Sequence, residues 1–215
     1  MKLAVFSFKG GVGKTSISME IALKYKYNLV TNDIITDITG ITSINCTKIA
    51  TNLKRLPITI VNSKKDTVFD IGAMSGTIDP KATHAISLAD AIIIPTLPDR
   101  RSIEGVIQSI KFVRESCNNI FIIVNKVKNE KEFDTIKNEL KDYIDEEDIF
   151  YFRDTTLFKR MAEDKEQLFE NIHNRHAIGK LNNTLDSHIT VYDSILSTTS
   201  HLLEFRKYNA KHKRD

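Results

Sequence analysis

The amino-acid sequence predicts an α/β fold in which a doubly wound, mostly parallel sheet is flanked by helices. Two observations support this prediction. Short apolar segments alternate with longer amphipathic ones along most of the 215 residues, which is the order typical of repeated βαβ units. Some of the short segments, such as residues 91–94 and 120–124, are uninterrupted and β-branched, as expected for strands that are buried on both faces.

The pattern places six strands and five helices. The strands are predicted at residues 2–8, 28–33, 67–71, 91–95, 119–125 and 149–152. The helices are predicted at residues 15–25, 79–88, 101–117 and 130–143, followed by one long amphipathic helix through the apolar positions between 178 and 202. Residues 34–66 show no regular pattern, and we interpret them as a mobile insertion of short elements.

Composition restricts the class of protein. A hydrophobic fraction of 41% with 27% charged residues is typical of a folded domain, and we expect a single domain over residues 1–205. No apolar stretch approaches the roughly 20 residues that span a bilayer, and the N-terminus does not resemble a signal peptide. Two cysteines, Cys46 and Cys117, are too few for a disulfide framework or a metal cluster. We therefore expect a cytoplasmic protein with free thiols.

The positive charge is concentrated at the C-terminus. The last ten residues hold five Lys or Arg and one Asp, whereas the other 205 residues hold 26 basic and 27 acidic side chains. We therefore expect residues 206–215 to form a basic and flexible C-terminal tail. Such a tail attracts a polyanion, either nucleic acid or an anionic membrane, but a solvated end without a partner fits equally well.

The strongest motif is a glycine-rich segment, FKGGVGKTS at residues 8–16, between the first strand and the first helix. It contains three of the eight glycines of the chain. Glycine lets backbone N–H groups turn towards a phosphate, and the helix that follows directs its positive end at the anion. Lys14 would reach the β- and γ-phosphates, and the Thr15 hydroxyl would bind Mg²⁺. A purely structural turn is the alternative, because Phe8 stands where the usual phosphate-loop motif has its first glycine.

The sequence KGGVGKT at residues 9–15 resembles the deviant Walker A motif of the ParA/MinD family of P-loop ATPases. Residues 68–72 resemble the family's second acidic strand and switch II, and residues 88–95 resemble its next strand. Residues 122–126 resemble the strand that ends in the base-binding Asn. The short chain is most similar to small plasmid-partition ParA proteins that lack an N-terminal DNA-binding domain. The resemblance implies a fold of the P-loop NTPase type.

The resemblance also implies a binding site for ATP and Mg²⁺. Gly72 would offer its N–H to the γ-phosphate, and Asn125 would contact the adenine edge. Thr15, Asp70 and Asp33 would lie around the metal, although the acid of residue 70 is also compatible with a helix cap. The full set of cofactor-binding residues is Lys9, Gly10, Gly11, Val12, Gly13, Lys14, Thr15, Ser16, Gly72 and Asn125.

The resemblance implies three catalytic residues: Lys9, Lys14 and Asp33. Lys9 would be the signature lysine that reaches the nucleotide of a partner subunit, unless it is an ordinary solvated loop residue. Asp33 would orient the attacking water in switch I, with Asp37 as the fallback if the alignment slips. The family often has an additional acid two residues before this one, where the chain has Thr31. Hydrolysis is therefore expected to be slow or differently tuned.

Partners follow from the same resemblance. We expect an ATP-dependent homodimer that binds DNA non-specifically, is associated with the nucleoid and drives partition with a ParB-like protein. The candidate DNA contacts are Lys207, Lys211, Lys213, Arg214, Arg175 and Lys180.

Two alternatives stay open. One is a MinD-like protein that binds a membrane through Leu202, Leu203 and Phe205 beside basic residues. The other is a nucleotide-binding regulator that does not hydrolyse ATP, which the replacement of an acid by Thr31 admits.

Overall fold

A computed structural model of the chain describes residues 1–32, 44–50, 52–72, 78–154 and 180–212. Within these ranges the chain forms a sheet of seven strands in the order β3-β2-β4-β1-β5-β6-β7, and every neighbouring pair is parallel. The strands are Lys2–Val5 (β1), Asn28–Thr31 (β2), Cys46–Lys48 (β3), Thr67–Asp70 (β4), Ala91–Thr96 (β5), Ile120–Val127 (β6) and Ile149–Arg153 (β7). The predicted fold class is confirmed.

Six α-helices lie within the described residues and cover both faces of the sheet. They are Lys14–Tyr25 (α1), Ile58–Val61 (α2), Pro80–Leu88 (α3), Arg100–Val113 (α4), Glu130–Leu140 (α5) and Lys180–His212 (α6). α1 follows β1 and packs on one face with α6, whereas α2 to α5 pack on the other. The connection from β1 to β2 runs through α1 on one face, and the connection from β4 to β5 crosses β1 through α3 on the other. A crevice is therefore expected at the carboxyl end of β1, where ligands of open α/β sheets bind.

α6 runs antiparallel to the strands. Near its beginning His188 stacks on Phe152 of β7 at 3.7 Å between ring centroids, and further along Thr199 accepts a hydrogen bond from Asn119, which precedes β6. The helix therefore passes from the carboxyl edge of the sheet to the amino edge. Its last turns continue beyond that edge to His212, and the side chains of residues 201–210 are mostly exposed. The helix therefore includes much of the segment for which we expect a tail.

A buried polar cluster joins α6 to α1. Glu20 of α1 is 3% exposed and accepts a hydrogen bond from the Tyr192 hydroxyl, and its carboxylate lies 3.1 Å from Nδ1 of His188. We call Glu20, His188 and Tyr192 the Glu20 cluster. Beside it, the Tyr25 hydroxyl donates to Asp193 at 2.8 Å. These contacts connect residues about 170 positions apart and fix α6 on the sheet.

Residues 34–66 contain short elements, as predicted, but one of them is a strand of the main sheet that the sequence did not locate. Within the described part of that segment, Cys46–Lys48 forms edge strand β3, which pairs with β2, and Ile58–Val61 forms the short helix α2. A strand of three residues is too short for a periodic pattern to show it. Cys46 and Cys117 are free thiols. Among the described helices, none has a stretch both long and apolar enough to span a membrane.

Candidate functional site

The glycine-rich loop lies at the carboxyl end of β1, in the expected crevice. Phe8 stands where the usual motif has its first glycine, and its partly buried side chain packs against the protein core. Its ring packs on Phe6 and Phe112 with centroids 5.1 and 5.5 Å away, and its N–H donates to Ser109 Oγ at 3.2 Å. Both Phe112 and Ser109 belong to α4, so Phe8 anchors the start of the loop to that helix.

Two glycines of the loop adopt backbone conformations that other residues avoid. Gly11 has φ 72° and Gly13 has φ 97°, and Gly13 is the residue that precedes α1. A Cβ on Gly13 would lie 2.7 Å from Nδ2 of Asn125, which is closer than side chains tolerate. Gly10 is exposed and a Cβ there would meet nothing within 4 Å. The conformation of the loop thus depends on Gly11 and Gly13 rather than on Gly10.

Asn125 supports the loop from behind. Its Nδ2 donates to the carbonyl of Val12 at 2.6 Å, and the side chain is 3% exposed. The β6–β7 register shifts between Val124 and Val127, with φ 61° at Lys126, and such irregularities re-aim side chains beside functional sites. Asn125 Oδ1 is buried and forms no hydrogen bond to any described residue. In this structure the Asn125 side chain therefore contacts the loop, and its oxygen is covered by protein atoms.

The two lysines of the loop occupy different positions. Lys14 is the first residue of α1, and its ammonium donates to the carbonyl of Lys9 at 3.1 Å, across the loop. Lys9 is half-buried, and its Cβ would be 3.5 Å from a Cβ built on Gly105 of α4. Thr15 and Ser16 follow in the first turn of α1 and are partly exposed. The loop thus presents a helix N-terminus, a lysine and two hydroxyls at one edge of the sheet.

Lys9 also contributes to the charge at the start of α4. Asp99 caps that helix: it accepts from the N–H of Ser102 at 3.0 Å and from its hydroxyl at 2.6 Å. The hydroxyl bond is the main cause that lowers the pKa of Asp99 below its usual value, and the positive charge of Lys9 lowers it further.

Asp70 ends β4, the neighbour of β1, and is 2% exposed. Its carboxylate accepts a hydrogen bond from the Thr31 hydroxyl at 3.2 Å. The family often has an aspartate at the position of Thr31. In this chain the residue instead donates a hydrogen bond to the neighbouring acid, Asp70. Asp33, predicted as catalytic and as a metal neighbour, lies outside the described residues, as do Asp37 and Arg175. Among the residues that the structure does describe, no three His, Cys, Asp or Glu side chains form a metal cluster.

A polar network near the end of β4, in which Asp79 and Lys81 are buried and Asn32 is half-buried, was not predicted from the sequence. Asn32 accepts from Gly72 N–H at 3.2 Å and donates to Asp79 at 3.1 Å. Asp79 caps α3 and pairs with Lys81 at 3.0 Å, with the two side chains 3% and 4% exposed. The Lys81 ammonium also donates to the carbonyl of Leu53 at 2.9 Å. We call Asn32, Asp79 and Lys81 the Asp79 cluster; the sequence signal for it is limited to the cap position of Asp79 before Pro80.

The comparisons with solved structures agree with this fold. A plasmid partition protein from Borrelia burgdorferi, bound to AMPPNP, superimposes with a TM-score of 0.64 at 16% identity, covering 92% of this chain and 98% of its own. MinD from Pyrococcus horikoshii with Mg-ADP gives 0.60 at 14% identity, covering 92% and 98%. A variant of McdA from Cyanothece in complex with ATP gives 0.59 at 12%, covering 92% and 96%. At these identities the likeness shows a shared fold.

A comparison with family profiles identifies the family. The profile described as "CobQ/CobB/MinD/ParA nucleotide binding domain" matches residues 3–168, about three quarters of the chain. Among curated proteins, none matches the sequence. The profile covers the glycine-rich loop, Asp70, Gly72 and Asn125, and confirms the resemblance to the ParA/MinD family. The chain therefore belongs to the CobQ/CobB/MinD/ParA nucleotide-binding domain family.

Proposed function

We propose that the chain is a ParA-type ATPase that dimerises on binding ATP, binds DNA non-specifically and moves a plasmid or chromosome with a ParB-like partner. The observation that carries the proposal is the loop geometry. Gly11 and Gly13 have positive φ angles, Gly13 directly precedes α1, and Lys14 is the first residue of that helix. Such an arrangement of backbone amides, helix N-terminus and lysine suits a polyphosphate.

Mg²⁺ fits the side chains at this edge. The metal prefers oxygen ligands and keeps several waters, so a Thr15 hydroxyl, an Asp70 carboxylate and phosphate oxygens form a suitable donor set. Bound Mg²⁺ would supply neutralisation of phosphate charge. Asp70 is buried at the end of a strand, and its burial is explained if it acts near a cation.

Lysines and backbone amides would bind the phosphates and stabilise their charge. Lys14, which now donates to the Lys9 carbonyl, would exchange that acceptor for phosphate oxygens. Lys9 would reach the nucleotide of a second subunit and stabilise charge in trans, as an arginine finger does. In our proposal Asp33 orients the attacking water and Asn125 contacts the adenine edge. Gly72 N–H would donate to the γ-phosphate.

DNA binding would use the basic end of α6. Arg206 and Lys207 are exposed on turns that extend beyond the amino edge of the sheet, away from the nucleotide crevice. Contacts of this kind with phosphates release counterions, so we expect the affinity for DNA to fall steeply between about 50 and 200 mM salt. An affinity that does not depend on salt would contradict the proposal.

A MinD-like membrane function is the second candidate, because the same turns expose apolar side chains. Leu202 is 39% and Phe205 is 63% exposed, beside Arg206 and Lys207. Flotation with anionic liposomes tests this candidate, and we expect the protein to stay with DNA rather than with vesicles. A regulator that does not hydrolyse ATP is the third candidate; single-turnover hydrolysis with and without DNA distinguishes it from the ATPase.

The test of the proposed function is nucleotide binding and dimerisation by matched lysine variants. We expect Lys14→Ala to lose nucleotide binding, because it removes the cation of the loop. Lys9→Ala should bind nucleotide as a monomer without dimerising, whereas Lys24→Ala, an exposed change on the same helix, should behave as wild type. Asp33→Ala should bind ATP and accumulate the dimer. Full ATP-dependent dimerisation of Lys9→Ala would refute the signature-lysine assignment.

A further inference from the structure

Asn32 occupies the backbone N–H that the proposed function gives to the third phosphate. The Oδ1 atom of Asn32 accepts from Gly72 N–H at 3.2 Å, between the ends of β2 and β4. A backbone N–H carries one hydrogen, so a phosphate oxygen and Oδ1 compete for it. The contact therefore bears directly on which nucleotide binds.

The other end of the Asn32 amide is held by charge. Nδ2 donates to Oδ2 of Asp79 at 3.1 Å, and Asp79 also accepts from the N–H of Lys81 at 2.9 Å and from its ammonium at 3.0 Å. Asp79 and Lys81 are almost fully buried, so solvent does not screen their interaction. The Asp79 cluster thus fixes the donor side of Asn32 and leaves the oxygen aimed at Gly72.

The chemistry of the two neighbours determines which way the amide of Asn32 points. Gly72 presents an N–H donor, and Asp79 presents a carboxylate, which accepts. The reversed amide would place two donors together at Gly72 and two oxygens together at Asp79. The orientation in the structure satisfies both neighbours at once, as a positioned residue should.

We propose that Asn32 is a positioning residue that makes a nucleoside triphosphate, but not a diphosphate, compete with an internal acceptor. This inference rests on the proposed function. With a triphosphate, Gly72 N–H exchanges Oδ1 for a phosphate oxygen, and Asn32 keeps its bond to Asp79 but no longer contacts the end of β4. Asp79 keeps its two bonds to Lys81, so the cap of α3 stays in place. With a diphosphate, the contact between Asn32 and Gly72 persists.

The first experiment compares the affinities for AMPPNP and ADP by calorimetry. In Asn32→Ala the N–H of Gly72 binds water when no triphosphate is present. A phosphate oxygen then has to displace only this water, and not a fixed side-chain oxygen. The preference for AMPPNP over ADP should therefore rise by about twofold to twelvefold, the range of one net hydrogen bond. Asn28→Ala is the matched control, because Asn28 is a half-buried Asn at the opposite end of the same strand. It should leave the ratio unchanged.

A second variant keeps the inference testable if Asn32→Ala does not fold. Asn32→Asp retains an acceptor for Gly72 and adds a negative charge beside the third phosphate, although its second oxygen then faces the Asp79 carboxylate and costs stability. Its preference for AMPPNP over ADP should therefore fall below that of wild type. Opposite signs for Ala and Asp at one position are not expected of a residue that only supports the fold.

The second measurement needs no turnover. The chain has eight glycines, so ¹⁵N-glycine labelling yields a spectrum in which the Gly72 amide is assigned with a Gly72→Ala variant. In nucleotide-free wild type this amide should exchange slowly with water, and in Asn32→Ala it should exchange at least tenfold faster. AMPPNP should shift the resonance, and ADP should not.

The possible failures are distinguishable. An unchanged AMPPNP-to-ADP ratio in Asn32→Ala, with wild type binding both nucleotides, overturns this inference and leaves the proposed function intact. Wild type that binds neither nucleotide overturns both. A Gly72 resonance that responds equally to AMPPNP and ADP also overturns the inference, because the contact would then not sense the third phosphate.

Discussion

Each face of the sheet, in the part of the chain that the structure describes, buries charged side chains, and the Glu20 and Asp79 clusters are built differently. In the Glu20 cluster one carboxylate on α1 meets two side chains of α6, about 170 residues away. In the Asp79 cluster the ion pair is local to the start of α3, and Asn32 and Leu53 connect it to other segments. The first cluster joins two helices, whereas the second joins a helix to the carboxyl edge of the sheet, where the glycine-rich loop lies.

This difference predicts different consequences for the two clusters. Removing a charge from the Glu20 cluster weakens the contact between α6 and α1, so the free energy of unfolding should fall and nucleotide preference should not change. A change at Asn32 should instead alter nucleotide preference. Variants of the two clusters should therefore differ in the property that they change.

The largest effect is expected for Glu20→Ala. The change leaves a cavity and removes the acceptor of the buried Tyr192 hydroxyl and the partner of His188. We expect the free energy of unfolding to fall by about 4 kcal/mol, measured by urea denaturation. Glu104→Ala, which removes an exposed ion pair with Arg100, is the control and should cost less than about 1 kcal/mol. Equal losses in the two variants would contradict the assignment.

Lys81→Ala should have the next largest effect. It leaves the Asp79 carboxylate buried without a counter-charge, although the N–H of residue 81 and Asn32 still donate to it. We expect a loss of about 3 kcal/mol in the free energy of unfolding. The double variant Asp79→Asn/Lys81→Ala removes both charges and should recover part of this loss. Additive losses in the double-mutant cycle would show that the pair is not coupled.

Alkaline pH should weaken the face that carries α6. Burial raises the pKa of Tyr27 to about 12, and burial also raises the pKa of Tyr25 and of Tyr192. The folded state therefore holds these protons more tightly, so the stability they confer is intact below pH 10 and decreases from pH 10 towards 12 and above. We expect about 2 kcal/mol of loss by pH 12 from Tyr27 alone, with further loss from the other two tyrosines. Hydrogen exchange should show α6 opening before α4; simultaneous opening would contradict this prediction.

Tyr25→Phe should have the smallest effect. It removes the hydroxyl that donates to Asp193 at 2.8 Å, on a partly exposed part of the α1–α6 contact. We expect a loss of about 1 kcal/mol in the free energy of unfolding, with faster hydrogen exchange in α6 and unchanged exchange in α4. Tyr151→Phe on the opposite side of the sheet keeps its ring contact with Phe133 and is the matched control. Faster exchange in both helices would mean that the contact is not local.

Local features of the molecule were predictable from the sequence. The glycine-rich loop, the six predicted strands and the cap of α3 each depend on residues that are close together in the chain. The Asp79 cluster was not predictable, because Asn32 and Asp79 are 47 positions apart and meet only in the folded sheet, where β2 pairs with β4. Asn125 was identified as a site residue, but its bond to Val12 depends on an irregularity of β6 that has no pattern in the sequence.

α6 has a mechanical consequence. No Pro or Gly interrupts it between Lys180 and His212, so it has no built-in hinge where it leaves the sheet. The thirteen residues after Thr199 form a stiff arm of about 20 Å. If the docked half tilts by about 10°, the tip is displaced by about 3–4 Å, calculated from the same rise per residue. Small rearrangements at the anchored end would thus be amplified at the far end of the molecule.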